Sequence, residues 1–270
     1  MSNSLMHDYD QVRVLLNESV IDPLAEEVTE PDLSFCFGPL RAKLPVVFFY
    51  TSDELDERTE KACEEAGVLT CGAVGSKIPL LTPSLIETLS QQSSEAPRPA
   101  PFDKLGCYLH EAVDPTSRVE LANLRDLTDV DQTVVVGCSV SARHGRAVAN
   151  ELRLASALLI GPTQPSTFKD IDTLGMATPR VSLVQELSRC TDVPIFVTAG
   201  SAADACKALV AGADAVVINI GGPFGSDEDV KFVVDAVAQS LRENIERLCK
   251  LAGAKKPRDL PFRCRLTPSR

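Results

Sequence analysis

From Leu44 onward, short apolar runs alternate with longer stretches in which apolar residues recur at helical spacing. The run Leu44–Tyr50 is rich in β-branched and aromatic residues and too short for a helix, so it predicts a strand. Asp53–Ala66 has acidic residues in its first turns and a glycine at its end, the start and stop signals of a helix. Val68–Gly75 predicts the next strand, ending in glycines, of which Gly72 would let a backbone approach a ligand. Further strands are predicted at Gly106–Val113, Thr133–Val140, Ser156–Gly161, Val193–Ala199 and Ala215–Ile220. The helices between and after them are Ser141–Leu154, Thr178–Arg189, Ala202–Ala211 and Asp227–Leu251.

An eighth strand fits near Lys77–Leu81, ahead of an irregular, proline-containing stretch that reaches Leu105. Strands alternating with helices at this spacing imply parallel strands and right-handed crossovers. The fold class is therefore α/β, a single (β/α)8 TIM barrel spanning 44–270 and closing with a helical tail. Residues 1–43 read as a lead-in of turns and helix fragments that packs on the barrel.

Composition narrows the function classes. The 270 residues are 44% apolar and 24% charged, an ordinary globular balance, and a length at which one barrel closes. A formal charge of -11 repels a phosphate backbone, which argues against nucleic acid as a partner. No apolar run approaches the ~20 residues of a membrane-spanning helix, and Met1–Asn17 is polar rather than signal-like; the expectation is a cytoplasmic protein without a membrane partner. The nine cysteines are spaced singly, without a C-x-x-C pair, and several lie in apolar runs where a thiol packs as a hydrophobe. No metal site is predicted.

The segment from Val193 to Phe224 carries the chemistry. A buried strand ends in Ala-Gly-Ser, a helix begins at once, a Gly-Ala-Asp turn leads to a second buried strand, and that strand ends in Gly-Gly. In a barrel, the loops after the last two strands and a following helix N-terminus present backbone N–H groups to a phosphate. Gly200, Ser201, Gly221 and Gly222 are the residues this pattern places around it. The alternative is that such glycines serve only tight turns.

This segment resembles the phosphate-binding end of the FMN-dependent TIM-barrel superfamily, a group that includes inosine monophosphate dehydrogenase, the α-hydroxy acid oxidases, type 2 isopentenyl diphosphate isomerase and glutamate synthase. The closing helix and tail, Ser240–Leu260, resemble most the glutamate synthase FMN domain and its stand-alone relatives. The resemblance implies FMN as cofactor, oxidoreductase activity on a small anionic substrate, and flavin contacts from the end of the first strand at Tyr50 and Ser52. Two departures stand out. Thr133–Val140 lacks the lysine that relatives carry beside the flavin, and the loop after the seventh strand has one glycine where they have two.

Candidate catalytic groups are few. His110 and Glu111 close a predicted strand as a candidate acid/base pair, and His144, with Arg143 and Arg146, would meet an anionic substrate at the barrel mouth. Each is matched by a plainer reading as solvated surface charge. A second hypothesis therefore stands beside the flavoenzyme: a degenerate, non-catalytic barrel without flavin, acting as a subunit or regulatory partner; on either reading a homo-oligomer or a protein partner is an expectation. A third, a phosphosugar-type barrel with a Schiff-base lysine, calls for a strand-end lysine that the sequence does not show.

Overall fold

A computed structural model describes residues 19–23, 30–38, 40–50, 57–72, 76–81, 107–112, 133–138, 157–160, 180–221 and 224–268. Eight strands close into a parallel barrel: β4 (Val46–Tyr50), β5 (Leu69–Gly72), β6 (Ile78–Leu81), β7 (Cys107–Ala112), β8 (Thr133–Cys138), β9 (Ala157–Ile160), β10 (Ile195–Ala199) and β11 (Ala215–Gly221). They follow one another around the wall in chain order, and β11 returns to pair with β4. The predicted eighth strand is β6. Among the described helices, α1 (Glu57–Ala66), α2 (Arg180–Cys190), α3 (Ala202–Ala211) and α4 (Asp227–Ala252) clothe the wall.

Alternation along the strands sorts side chains into two apolar compartments. Val47, Leu69, Cys71, Ile78, Leu159, Phe196, Ala215 and Val217 fill the barrel axis. Val46, Phe48, Ile160, Ile195, Val197 and Val216 face outward into the ring of helices, where Leu209, Leu241 and Ile245 meet them. Parallel strands covered on both faces read as continuous apolar runs, which is why β4 and β11 were the most legible strands in the chain. Each fully buried Leu, Ile or Phe contributes roughly 1.5–3 kcal/mol.

The lead-in differs from its expected form. Its described elements are strands, not helix fragments: β1 (Ser19–Pro23), and a hairpin of β2 (Phe35–Phe37) and β3 (Leu40–Ala42) turning at Gly38, whose φ is 53°. Phe35 and Phe37 pack edge-on against Phe196, with ring centroids 5.8 and 5.0 Å away, and so plug the end of the barrel where the strands begin. β1 pairs antiparallel with β12 (Cys264–Pro268), which follows α5 (Leu260–Arg263) and ties the two ends of the chain together. Cys36 is exposed whereas Cys63, Cys71, Cys206, Cys249 and Cys264 are buried, and burial pushes the Cys63 and Cys249 thiols up to about 12 and Cys206 to about 11. No described helix is long and apolar enough to cross a membrane.

Candidate functional site

The mouth of the barrel, where the strands end, is best defined on the side of β10 and β11. These strands are neighbours with Ala199 level with Ile218, so the loops that leave them emerge side by side. Ser201 has extended backbone at φ −153° and ψ 167°, and its Oγ accepts the Asp204 N–H at 3.1 Å. This N-cap starts α3 directly after the strand, with the positive end of the helix dipole at the mouth. Gly200 is exposed, and a Cβ built on it meets only Asp204 Oδ2, at 3.5 Å.

Gly221 has φ +76°, which a side chain rarely adopts, and a Cβ there meets nothing within 4 Å. Its N–H donates to Asn219 Oδ1 at 2.8 Å, closing a local turn where the register of β11 against β4 shifts. Clearance at Gly200 and Gly221, beside a capped helix start, is the geometry in which backbone approaches an anion.

Electrostatics divide the two helix starts at this end. Both follow the pattern Gly-Ser-x-x-Asp, at Gly200–Asp204 and Gly225–Asp229. Ser226 caps α4 as Ser201 caps α3, accepting the Asp229 N–H at 3.2 Å. The first turn of α4 carries Asp227, Glu228 and Asp229, whereas that of α3 carries only Asp204. Carboxylates at a helix N-terminus stabilise the helix by roughly 0.3–1 kcal/mol and oppose a bound anion there. Of the two, α3 is the end suited to a phosphate.

Above the apolar axis sits a layer that sequence reading missed. Positions alternate inward along each strand, so Phe49 follows Val47, Thr198 follows Phe196, and Asn219 follows Val217 toward the mouth. Phe49 and Thr198 are half-buried and Asn219 is exposed, with the Thr198 hydroxyl donating to the Ile160 carbonyl at 3.4 Å. Polar residues ending otherwise apolar strands, as in Val-Thr-Ala and Val-Ile-Asn, are the signal that would have found them.

The other predicted site residues fare unequally. Tyr50 shares the outward parity of Val46 and Phe48; its ring is buried under Ile220 and Phe224, with the Phe224 centroid 6.2 Å away. Gly72 has φ +103°, and a Cβ there falls 2.8 Å from Phe49 Cε2 and 2.9 Å from the Tyr50 carbonyl oxygen. Its clearance is thus taken up by the neighbouring strand, and the glycine is accounted for by packing.

His110 and Glu111 are consecutive residues of β7, level with Val136 and Gly137 of β8. Ser52, His144 and Gly222 lie outside the described residues, as do Arg143 and Arg146.

Lys77 is held outside the barrel wall by Glu60 (3.2 Å) and Glu64 (2.6 Å) of α1. Burial by itself would lower its ammonium, but hydrogen bonds and charge from those glutamates raise it above the ordinary lysine value. That is the opposite of what a Schiff-base lysine requires.

No family model and no curated protein matches the sequence. The fold, however, is shared with solved structures of low sequence identity. A mandelate oxidase bound to (S)-2-phenylpropionate superposes with a TM-score of 0.69 at 13% identity, over 98% of this chain and 90% of the oxidase. A soluble mutant of the membrane-associated (S)-mandelate dehydrogenase from Pseudomonas putida gives 0.67 at 14%, over 96% and 91%. Inosine 5′-monophosphate dehydrogenase from Legionella pneumophila gives 0.66 at 13%, over 94% and 97%. These similarities establish the α/β barrel.

Proposed function

We propose that this chain is a flavin-mononucleotide-binding barrel oxidoreductase acting on a small anionic substrate, of the glutamate-synthase-like type that the Ser240–Leu260 tail resembles. The observation that carries the reading is the pairing of two open glycines, Gly200 and Gly221, on adjacent final strands beside the Ser201-capped start of α3. Mandelate oxidase and inosine 5′-monophosphate dehydrogenase, two of the proteins that share the fold, belong to the kinds that the Val193–Phe224 segment resembles. Backbone N–H groups of the first α3 turn, with the Ser201 hydroxyl, would hold the FMN phosphate, as would the loop of Gly221 and Gly222. The flavin would supply a two-electron acceptor for substrate oxidation. Phe49, Thr198 and Asn219 would then stand as a floor beneath ring and substrate, excluding water below and offering hydrogen bonds above. The acidic charge and the singly spaced cysteines support a cytoplasmic location.

One observation favours the second reading, a barrel that has kept the fold without flavin. Asp204 is buried in the first turn of α3, 7% exposed, with Oδ2 beside Gly200, where it opposes a phosphate. Absorption between 300 and 550 nm of the purified protein, followed by titration with FMN and fluorescence quenching, separates the two. The flavoenzyme gives a flavin band or saturable quenching that Gly200→Asp abolishes. A colourless protein that leaves FMN fluorescence unchanged retires the oxidoreductase and selects the non-catalytic barrel.

A further inference from the structure

A second concavity lies at the opposite end of the wall from the glycine loops. A cleft of about 720 Å³ opens where β10 and β11 begin, between the end of α2, the turn at Gly212 and the C-terminal tail. The five residues of β10, about 16 Å at the usual strand rise, separate it from Gly200. Its volume is that of a small-molecule site.

Its lining is chemically specific. Arg189 ends α2, Arg258 sits in the 3-10 turn Pro257–Asp259, and Arg265 lies in β12. Arg189 and Arg258 form no ion pair with any described residue, whereas Arg265 stands opposite Asp22 in the β1–β12 register. In a chain of net charge -11, two arginines that line one cleft and pair with no described carboxylate are out of keeping with the surface at large. Two acids share the lining: Asp214 accepts the Ile195 N–H at 2.8 Å, and Asp192 is exposed. Phe262 borders the cleft and is 82% exposed, a large apolar ring left in water beside those cations. A planar fork that pairs with phosphate oxygens next to an aromatic face on which a base can stack is a nucleotide-recognising combination.

We infer that this cleft is a nucleotide site distinct from the barrel mouth, with phosphate on Arg189 and Arg258 and the base against Phe262. Its place at the end where strands begin, away from the loops that carry chemistry in barrels, suits a ligand that regulates rather than reacts. All three side chains are exposed, so their replacement leaves the core untouched.

The test is isothermal titration of the full chain with adenosine monophosphate, with and without excess FMN. Saturable binding is expected in both, weakened about tenfold by Arg258→Ala or Phe262→Ala and unchanged by Gly200→Asp; tenfold corresponds to the loss of about one charge-assisted contact. Adenosine without phosphate is expected to bind at least tenfold more weakly. Absence of saturation at millimolar nucleotide, or binding indifferent to both cleft variants, overturns the inference. Binding lost with Gly200→Asp or displaced by FMN also overturns it, because that nucleotide occupies the mouth. A protein that ignores FMN but binds the nucleotide through Arg258 keeps this inference while the flavin reading fails.

Discussion

The two ends of the barrel are built from the same strands to opposite purposes. At the start of the strands Phe196 is 1% exposed, capped by Phe35 and Phe37 of the hairpin. Two residues further along the same strand the inward position is Thr198, and beyond it come an exposed glycine and serine. One end excludes water with aromatic rings; the other offers a hydroxyl, an amide and free backbone. On the proposed reading the plug carries stability and the mouth carries the flavin, and a substitution at either end should leave the other's property intact.

Phe196→Ala is the strongest way to break that division. Removing a ring that both hairpin phenylalanines touch leaves a cavity, with an expected loss of about 3–5 kcal/mol in unfolding free energy by urea titration. If the chain binds FMN as proposed, whatever remains folded should keep that affinity. A loss below about 1 kcal/mol would mean that the hairpin does not seal the barrel.

Gly72→Ala comes next and tests whether that glycine belongs to the mouth or to the core. With φ at +103° and the Tyr50 carbonyl 2.9 Å from the new Cβ, neither the backbone nor the neighbouring strand can yield cheaply. Conformational strain and overpacking together predict about 2–4 kcal/mol of destabilisation. Thermal unfolding at equal concentration measures it. A stable Gly72→Ala with weakened FMN binding would return the residue to the ligand site.

The same contrast explains what the sequence disclosed. Strands buried on both faces are apolar runs, and α3 carries its own punctuation in Ser201 and Gly212, so the alternating elements could be read locally. β1 and β12 could not, because Ser19 pairs with Pro268 across nearly the whole chain and neither strand has a pattern of its own. The three-residue strands of the hairpin are too short to show a period.

At the site, glycines and the helix cap were legible because their conformations are local. Phe49, Thr198 and Asn219 were not, because whether a strand residue faces the axis depends on the register of eight strands around a closed wall. The packing around Gly72 was hidden for the same reason. The atoms that require a glycine there belong to β4, twenty-odd residues earlier in the chain.

Gly200→Ala has the smallest expected effect on stability and sharpens the comparison most. The backbone at Gly200 lies outside the left-handed region, and a methyl group there touches only Asp204 Oδ2 at 3.5 Å, an ordinary contact. Unfolding free energy should therefore change by no more than about 0.5 kcal/mol. If the phosphate of FMN sits against this backbone, the same methyl occupies its space, and the dissociation constant read by fluorescence quenching should rise at least tenfold. Gly72→Ala and Gly200→Ala then form a crossed pair, one losing stability with its ligand affinity retained, the other losing affinity with its stability retained. An unchanged FMN affinity in Gly200→Ala, in a wild-type background that binds the flavin, would move the phosphate away from α3 and leave the Gly221 loop to hold it.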